Sequence, residues 1–213
     1  MRGGDADGYL TVMTDQLPFA ASDLDTLRTE ASGCTRCHLY KDATQTVFGA
    51  GPPSADLMLV GEQPGDQEDL QGAPFVGPAG GVLDDALRDA GIERGRSYVT
   101  NVVKHFKFTR RGKRRIHQTP NREEVVACQP WLEGEIVAVQ PDVVVLMGAT
   151  AAKALLGSSF RVTAQRGEVF PRDGYHMTAT VHPSSILRVP GDRRQQAYED
   201  FVADLSGVAK LLS

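Results

Sequence analysis

Cysteine is scarce in this chain: there are three among 213 residues, and two of them, Cys34 and Cys37, lie three positions apart. Three thiols in that arrangement argue against a disulfide framework. They suit a reducing, cytoplasmic setting in which Cys34-Thr-Arg-Cys37 forms one corner of a metal or cluster site. No run of roughly 18 apolar residues occurs, so no membrane span is expected. The first twenty residues lack a basic stretch followed by an apolar core and do not resemble a signal peptide. They read as a flexible tail, residues 1–20, ahead of a single domain over residues 21–213. Internal repeats and low-complexity segments are also missing. The most informative absence is local: from Asn101 to Pro120 there is no acidic residue, although the chain as a whole carries a formal net charge of -4.

That stretch, NVVKHFKFTRRGKRRIHQTP, holds Lys104, Lys107, Arg110, Arg111, Lys113, Arg114 and Arg115, seven cations in twelve residues. Phe106 and Phe108 interleave with the first lysines, and His117 sits at the far end, just before a helix start. A net-acidic chain that gathers cations in this way is placing charge for a polyanion, and nucleic acid is the first candidate. A solvated basic loop without a partner is the bland alternative.

The hydrophobic content of 41% allows one compact core, hiding roughly 70% of the unfolded surface. Apolar runs predict buried strands at Asp56–Glu62, whose centre is continuously apolar, Ser97–Val103 and Asp142–Met147, with further strands at Glu168–Phe170 and Tyr175–Val181. Helical spacing and caps predict helices at Ser22–Ala31 (Ser22 as N-cap), Val82–Ala90, Asn121 to about Val139 (capped by Thr119 or Asn121), Ala149–Leu156 and about Arg193–Leu212. Strands alternating with helices imply an α/β fold: three layers, α/β/α, around a central, mostly parallel, four-stranded sheet. Ligands in such folds gather outside the carboxyl ends of the strands. Glu62, Gln63, Asn101, Gly148 and His182 all fall at those ends, around one crevice.

Cys128 lies in the helix after the basic stretch, and a fourth ligand must come from elsewhere, His105 being the obvious candidate. Three cysteines and a histidine hold zinc as readily as an iron–sulfur cluster, and spacing does not separate the two. Alternatively, Cys128 is a small core residue and the other two bind nothing.

Taken together, GEQPG, PFVGPAG, TNVVK, the cysteine pattern and HPSS resemble the uracil-DNA glycosylase superfamily. The resemblance is nearest to the cluster-containing family 4 enzymes, and within them to the UdgX type, and it covers the chain from about Cys34 to the final helix. His105 stands where family 4 carries a cysteine, a departure that the UdgX type shares. So is the basic insertion ending in a histidine, here Lys113-Arg114-Arg115-Ile116-His117.

The resemblance implies a [4Fe-4S] cluster on Cys34, Cys37, His105 and Cys128, with zinc as the alternative occupant. It implies that Phe75 stacks on a flipped uracil, that Gly61 and Gln63 line the base, and that Asn101 reads it. The Asn101 carbonyl would accept from N3–H while its amide donates to O4, a pattern cytosine reverses. His182 would stabilise uracil O2 as charge develops there. Gly77 to Gly80 and the Ser184-Ser185 turn would offer N–H and hydroxyl groups to phosphates, with Lys107 and the arginines and lysine of the insertion gripping the strand. Leu187 or Arg188 would wedge into the vacated space.

Gln63 stands where conventional (family 1) glycosylases carry a water-orienting aspartate, and an amide is no base. The UdgX resemblance implies instead that His117 attacks C1′ and stays bonded to the sugar, with Glu62 orienting or deprotonating it. The expected partners are therefore uracil-containing DNA, single-stranded by preference and covalently held after excision, and free uracil, with the protein a monomer. The alternatives are an ordinary turnover glycosylase and a non-catalytic DNA-binding module.

Overall fold

A computed structural model of the protein describes residues 23–212. The expected tail, 1–20, and Ser22, the expected first cap, lie outside them. The first helix, α1 (Leu24–Ser32), is instead capped by Asp23, whose carboxylate accepts from the Thr26 N–H at 2.8 Å. After it come β1 (Leu57–Gly61), α2 (Asp66–Gln71), α3 (Pro78–Asp89), β2 (Ser97–Asn101), β3 (Phe108–Arg111), β4 (Arg114–His117) and α4 (Arg122–Val139). The chain closes with β5 (Val143–Met147), α5 (Ala149–Leu156), α6 (Val162–Gln165), β6 (Val169–Arg172), β7 (Tyr175–Thr180), α7 (Pro183–Arg188) and α8 (Arg193–Ala209).

The main sheet has five strands in the order β2-β1-β5-β7-β6. The four expected strands are parallel to one another; β6 is added antiparallel at the edge, paired with β7 from Val169↔Thr178 to Arg172↔Tyr175. The fifth strand follows from chain length: only Asp173 and Gly174, the latter at φ +83°, separate β6 from β7. A tight turn of that kind joins only antiparallel neighbours.

The central strands are apolar along their whole length because both faces are covered. Along β1, Leu57 and Leu59 join the core formed with α3 and α8 through Leu83, Leu87, Phe201 and Leu205. Met58 and Val60 join the opposite core with Leu27 of α1, Leu132 of α4 and Leu155 of α5. Each such side chain taken out of water contributes on the order of 1.5–3 kcal/mol. The period-two alternation thus builds three layers. Asn121, not Thr119, caps α4: its side chain accepts from Glu124 N–H at 2.9 Å while the Glu124 carboxylate accepts from Asn121 N–H at 2.6 Å. Among the described residues no helix is long and apolar enough to cross a membrane.

Candidate active site

The carboxyl ends of β1, β2, β5 and β7 open into a cavity of about 730 Å³, lined by Glu62, Gln63, Phe75, Asn101, His117, Gly148 and His182 among others. Asn101 ends β2 almost fully buried, and among the described residues its side-chain amide meets no hydrogen-bonding partner.

Gly61, at the end of β1, is the reason the amide fits. A Cβ there would lie 2.4 Å from Asn101 Oδ1 and 2.8 Å from Phe75 Cζ. Gly61→Ala is therefore expected to push both side chains out of register and cut any base-dependent activity by about 10²-fold, the usual cost of an ångström of misplacement at a reacting centre. Single-turnover kinetics of the variant would show it, and a rate within twofold of the parent protein would contradict this packing.

Phe75 adopts a left-handed backbone, φ +57°, which costs a non-glycine residue roughly 1–3 kcal/mol. The conformation is held by α3: a Cβ on Gly80 would come within 1.7 Å of the Phe75 carbonyl oxygen, so only glycine permits the close approach. The Phe75 ring then stands nearly parallel to the His182 imidazole, with centroids 5.9 Å apart, and the two form one wall of the cavity.

His182 caps α7. The Ser184 N–H donates to its Nδ1 at 3.2 Å, with Ser184 Oγ 2.9 Å from the same nitrogen. A ring nitrogen that accepts from a backbone N–H carries no proton, so neutral His182 carries its hydrogen on Nε2. Burial, reinforced by the Arg188 and His117 charges, holds its pKa down to about 4. His117 is also lowered, chiefly by desolvation and against the pull of Glu62.

Both imidazoles are thus neutral at and above the ordinary histidine value of 6.5. Any reaction that needs them neutral should run at a constant rate from about pH 8 downward and fall only below 6.5. A rate profile whose acid limb is centred at or above that value would sink this assignment. Between 6.5 and about 4 the unfolded chain takes up a proton that folded His182 refuses, so stability also declines as the pH falls through that window.

The basic stretch is not a loop but a hairpin. β3 and β4 pair antiparallel, with Phe108 opposite His117 and Arg110 opposite Arg115. Gly112, at φ +60°, takes the first central position of the two-residue turn. The cations divide into two sets. Lys104 is fully buried against Glu135, Lys107 bonds Glu124 at 2.9 Å, and Arg115 bonds Asp66 and Asp69, each at 2.5 Å. Arg115, expected to face DNA, instead lies over the adjacent rings of Phe106 and Phe108, 5.4 and 5.2 Å from their centroids, and fastens the hairpin to α2. Arg110, Arg111, Lys113 and Arg114 are exposed and, among the described residues, pair with no carboxylate.

The amide of Gln63, expected to touch the base, is engaged elsewhere. Its Nε2 donates to the Lys107 and Gln118 carbonyls and its Oε1 accepts from Lys107 N–H, all at 3.1 Å. It clamps the two ends of the hairpin. His117, at the end of β4, points back to the cavity, its Nε2 3.4 Å from Glu62 Oε1, while the other Glu62 oxygen accepts from the Thr150 hydroxyl.

The expected phosphate donors differ as well. Gly77 N–H donates to the Glu68 carboxylate at 2.9 Å, Ser184 N–H to His182, and Ser185 N–H and hydroxyl both to the His182 carbonyl. Arg188 lines the same edge and bonds Ser184 Oγ at 3.2 Å; Leu187 is exposed.

Cys34, Cys37 and Cys128 pack against one apolar cluster. The Lys104 N–H donates to Cys128 Sγ and the Trp131 indole N–H to Cys34 Sγ, both at 3.2 Å. Burial pushes the Cys128 thiol up to about 12. His105 is buried, with Nε2 2.9 Å from Thr46 Oγ1. Among the described residues no three His, Cys, Asp or Glu side chains stand in a ready metal-binding group. The donor chemistry nonetheless suits a soft metal centre: three thiols with N–H groups aimed at two of the sulfurs, and a neutral imidazole in the segment that bonds Cys128.

Sequence reasoning missed Glu68, Thr150 and the Asp66–Asp69 partner of Arg115. The last was detectable, since Asp-Gln-Glu-Asp is the obvious acidic counterpart of the basic stretch. The profile of the uracil DNA glycosylase superfamily matches residues 48–206. Type-4 uracil-DNA glycosylases are similar over most of the chain. The Pyrobaculum aerophilum protein is 37% identical over 179 residues, 80% of this chain and 88% of the relative. The Thermotoga maritima protein is 40% identical over 159 residues, covering 73% and 78%, and that of Archaeoglobus fulgidus 31% over 196, covering 88% and 92%.

Proposed function

The chain belongs to the uracil-DNA glycosylase superfamily, and from that membership we propose that it flips uracil out of DNA, excises it and remains bonded to the abasic sugar through His117, as in the UdgX type. The observation that carries the capture step is the His117 imidazole set 3.4 Å from the Glu62 carboxylate at the mouth of a cavity that also holds Asn101, Phe75 and His182.

Uracil stacks on Phe75 and pairs with the free Asn101 amide, and Nε2–H of neutral His182 donates to O2. As the C1′–N1 bond breaks, its electron pair leaves on uracil, and the hydrogen bond to O2 stabilises that charge. An imidazole lone pair of His117 then bonds C1′ of the oxocarbenium-like sugar. The resulting imidazolium gives up its remaining N–H proton, for which Glu62 is the adjacent base; uracil regains a proton from solvent. Gln63 acts by holding the hairpin, not by touching water. The four unpaired cations grip the flanking strand.

Cys34, Cys37, His105 and Cys128 are the residues that would hold a [4Fe-4S] cluster. When bound, the cluster supplies a covalent cross-link between the segment after α1, the turn after β2 and α4, and it stabilises thiolates that burial alone disfavours.

A denaturing gel of the protein with a uracil-containing single-stranded oligonucleotide tests the reading. A shifted band that survives high salt and denaturant is expected. The encounter that precedes it should weaken with salt at a log–log slope of about −3, from four phosphate contacts on a single strand. Free abasic product with no shifted band would make this a turnover glycosylase, and neither product would leave a binding module.

A further inference from the structure

Three residues beyond Asn101 lies a fully buried ammonium. Lys104 Nζ donates to Glu135 Oε2 at 2.5 Å, to Thr100 Oγ1 at 2.6 Å and to the main-chain carbonyl of Asn101 at 2.7 Å, and it lies 5.6 Å from the Phe48 ring centroid. Glu135 is as deeply buried and also accepts from Tyr98 OH and Gly49 N–H, both at 3.0 Å. A buried pair of this kind is a poor source of net stability, because desolvation offsets the attraction. Its better-attested use is to specify one arrangement.

The arrangement specified here is local. Lys104 N–H donates to Cys128 Sγ at 3.2 Å and its carbonyl accepts from Val47 N–H at 2.8 Å. Just before it, Val102 and Val103 N–H donate to the Gly61 and Glu62 carbonyls, both at 3.0 Å. The main chain from 101 to 104 is thus fixed along its length, and the Lys104 side chain is the part that reaches back to Asn101.

We infer that Lys104 is a positioning residue for base recognition. By holding the Asn101 carbonyl it sets the direction in which the Asn101 amide enters the cavity, while Glu135 ties that setting to α4. The inference rests on the proposed role of Asn101 as the reader of uracil. It predicts a defect confined to substrates that carry the base. Backbone hydrogen bonding and the hairpin grip, which govern affinity for the strand, are untouched by the carbonyl contact.

The decisive variant is Lys104→Met/Glu135→Gln. Gln at 135 keeps an acceptor for Tyr98 and Gly49 and leaves no buried charge, so what the pair loses is the donor to the Asn101 carbonyl. One comparison isolates that contact: Tyr98→Phe, which removes another hydrogen bond to Glu135 and leaves Lys104 on the Asn101 carbonyl. Single-turnover excision of uracil is measured beside affinity for the same oligonucleotide carrying a tetrahydrofuran abasic analogue, with iron content as a control.

For the double variant, a fall in excision of about tenfold or more, toward the ~10² cost of misplacement, is expected with unchanged analogue affinity and iron. Tyr98→Phe should stay near wild type. Excision by the double variant near the wild-type rate overturns the inference. So does an equal loss in Tyr98→Phe, or a loss that tracks iron, because the effect would then run through stability or Cys128. A wild-type protein that excises no uracil overturns the proposed function, and the inference with it.

Discussion

A His117→Ser protein is expected to leave no DNA band on a denaturing gel while still releasing uracil, so that a stoichiometric trap becomes a turnover enzyme. The imidazole stands at the mouth of the cavity, half exposed, against Glu62. In the proposed mechanism bond breaking relies on Asn101 and His182, and neither hydrogen-bonds to His117 in the structure. Serine at the end of β4 removes the nucleophile and leaves Glu62, still held by Thr150, to place a water. The covalent yield should fall from near completion to nothing, with excision changed by no more than a few-fold. A shifted band that persists in the variant would move the nucleophile elsewhere. Loss of excision along with the band would mean that His117 takes part in breaking the glycosidic bond.

Asn101→Ala should abolish the reaction before capture can begin. Two hydrogen bonds to uracil are removed, each worth about 1–3 kcal/mol in a buried site, so excision should fall roughly 10²–10⁴-fold, and the covalent band with it. The variant should still bind abasic-analogue DNA as the parent does, because the exposed cations lie on the hairpin. Activity within tenfold of wild type would remove Asn101 from the reading role.

Much of the scaffold was legible because strand burial and cap chemistry are written locally. Apolar runs marked β1, β2 and β5, and Asn121, one of two cap candidates, marked the start of α4. The cavity was legible from the polar residues at the strand ends. What escaped was pairing at a distance. Whether an arginine meets phosphate or an aspartate depends on what lies opposite, so Arg115 read as DNA-binding until Asp66 and Asp69 were found against it. Gln63 read as a site residue because it stands where family 1 glycosylases carry an aspartate, but its amide is held by the two ends of the hairpin. Asp173-Gly174 signalled a tight turn, yet the strand count was set too low by one edge strand. The hairpin itself carried a signal that went unused, a Gly-Lys pair between two stretches able to extend.

The two ends of that hairpin meet. Gln118 N–H donates to the Lys107 carbonyl at 3.0 Å, one amide bridges both residues, and neither hairpin strand joins the main sheet. Residues 108–117 therefore form a closed excursion that begins and ends at the same place. A chain that omits them needs only a short bridge, at little loop-closure cost, and keeps the sheet, the Phe75–His182 wall and the thiol cluster whole. On the proposed function, capture is in this sense a detachable cassette: ten residues carry the proposed nucleophile and four unpaired cations, fastened to the rest of the chain by Gln63 and Arg115.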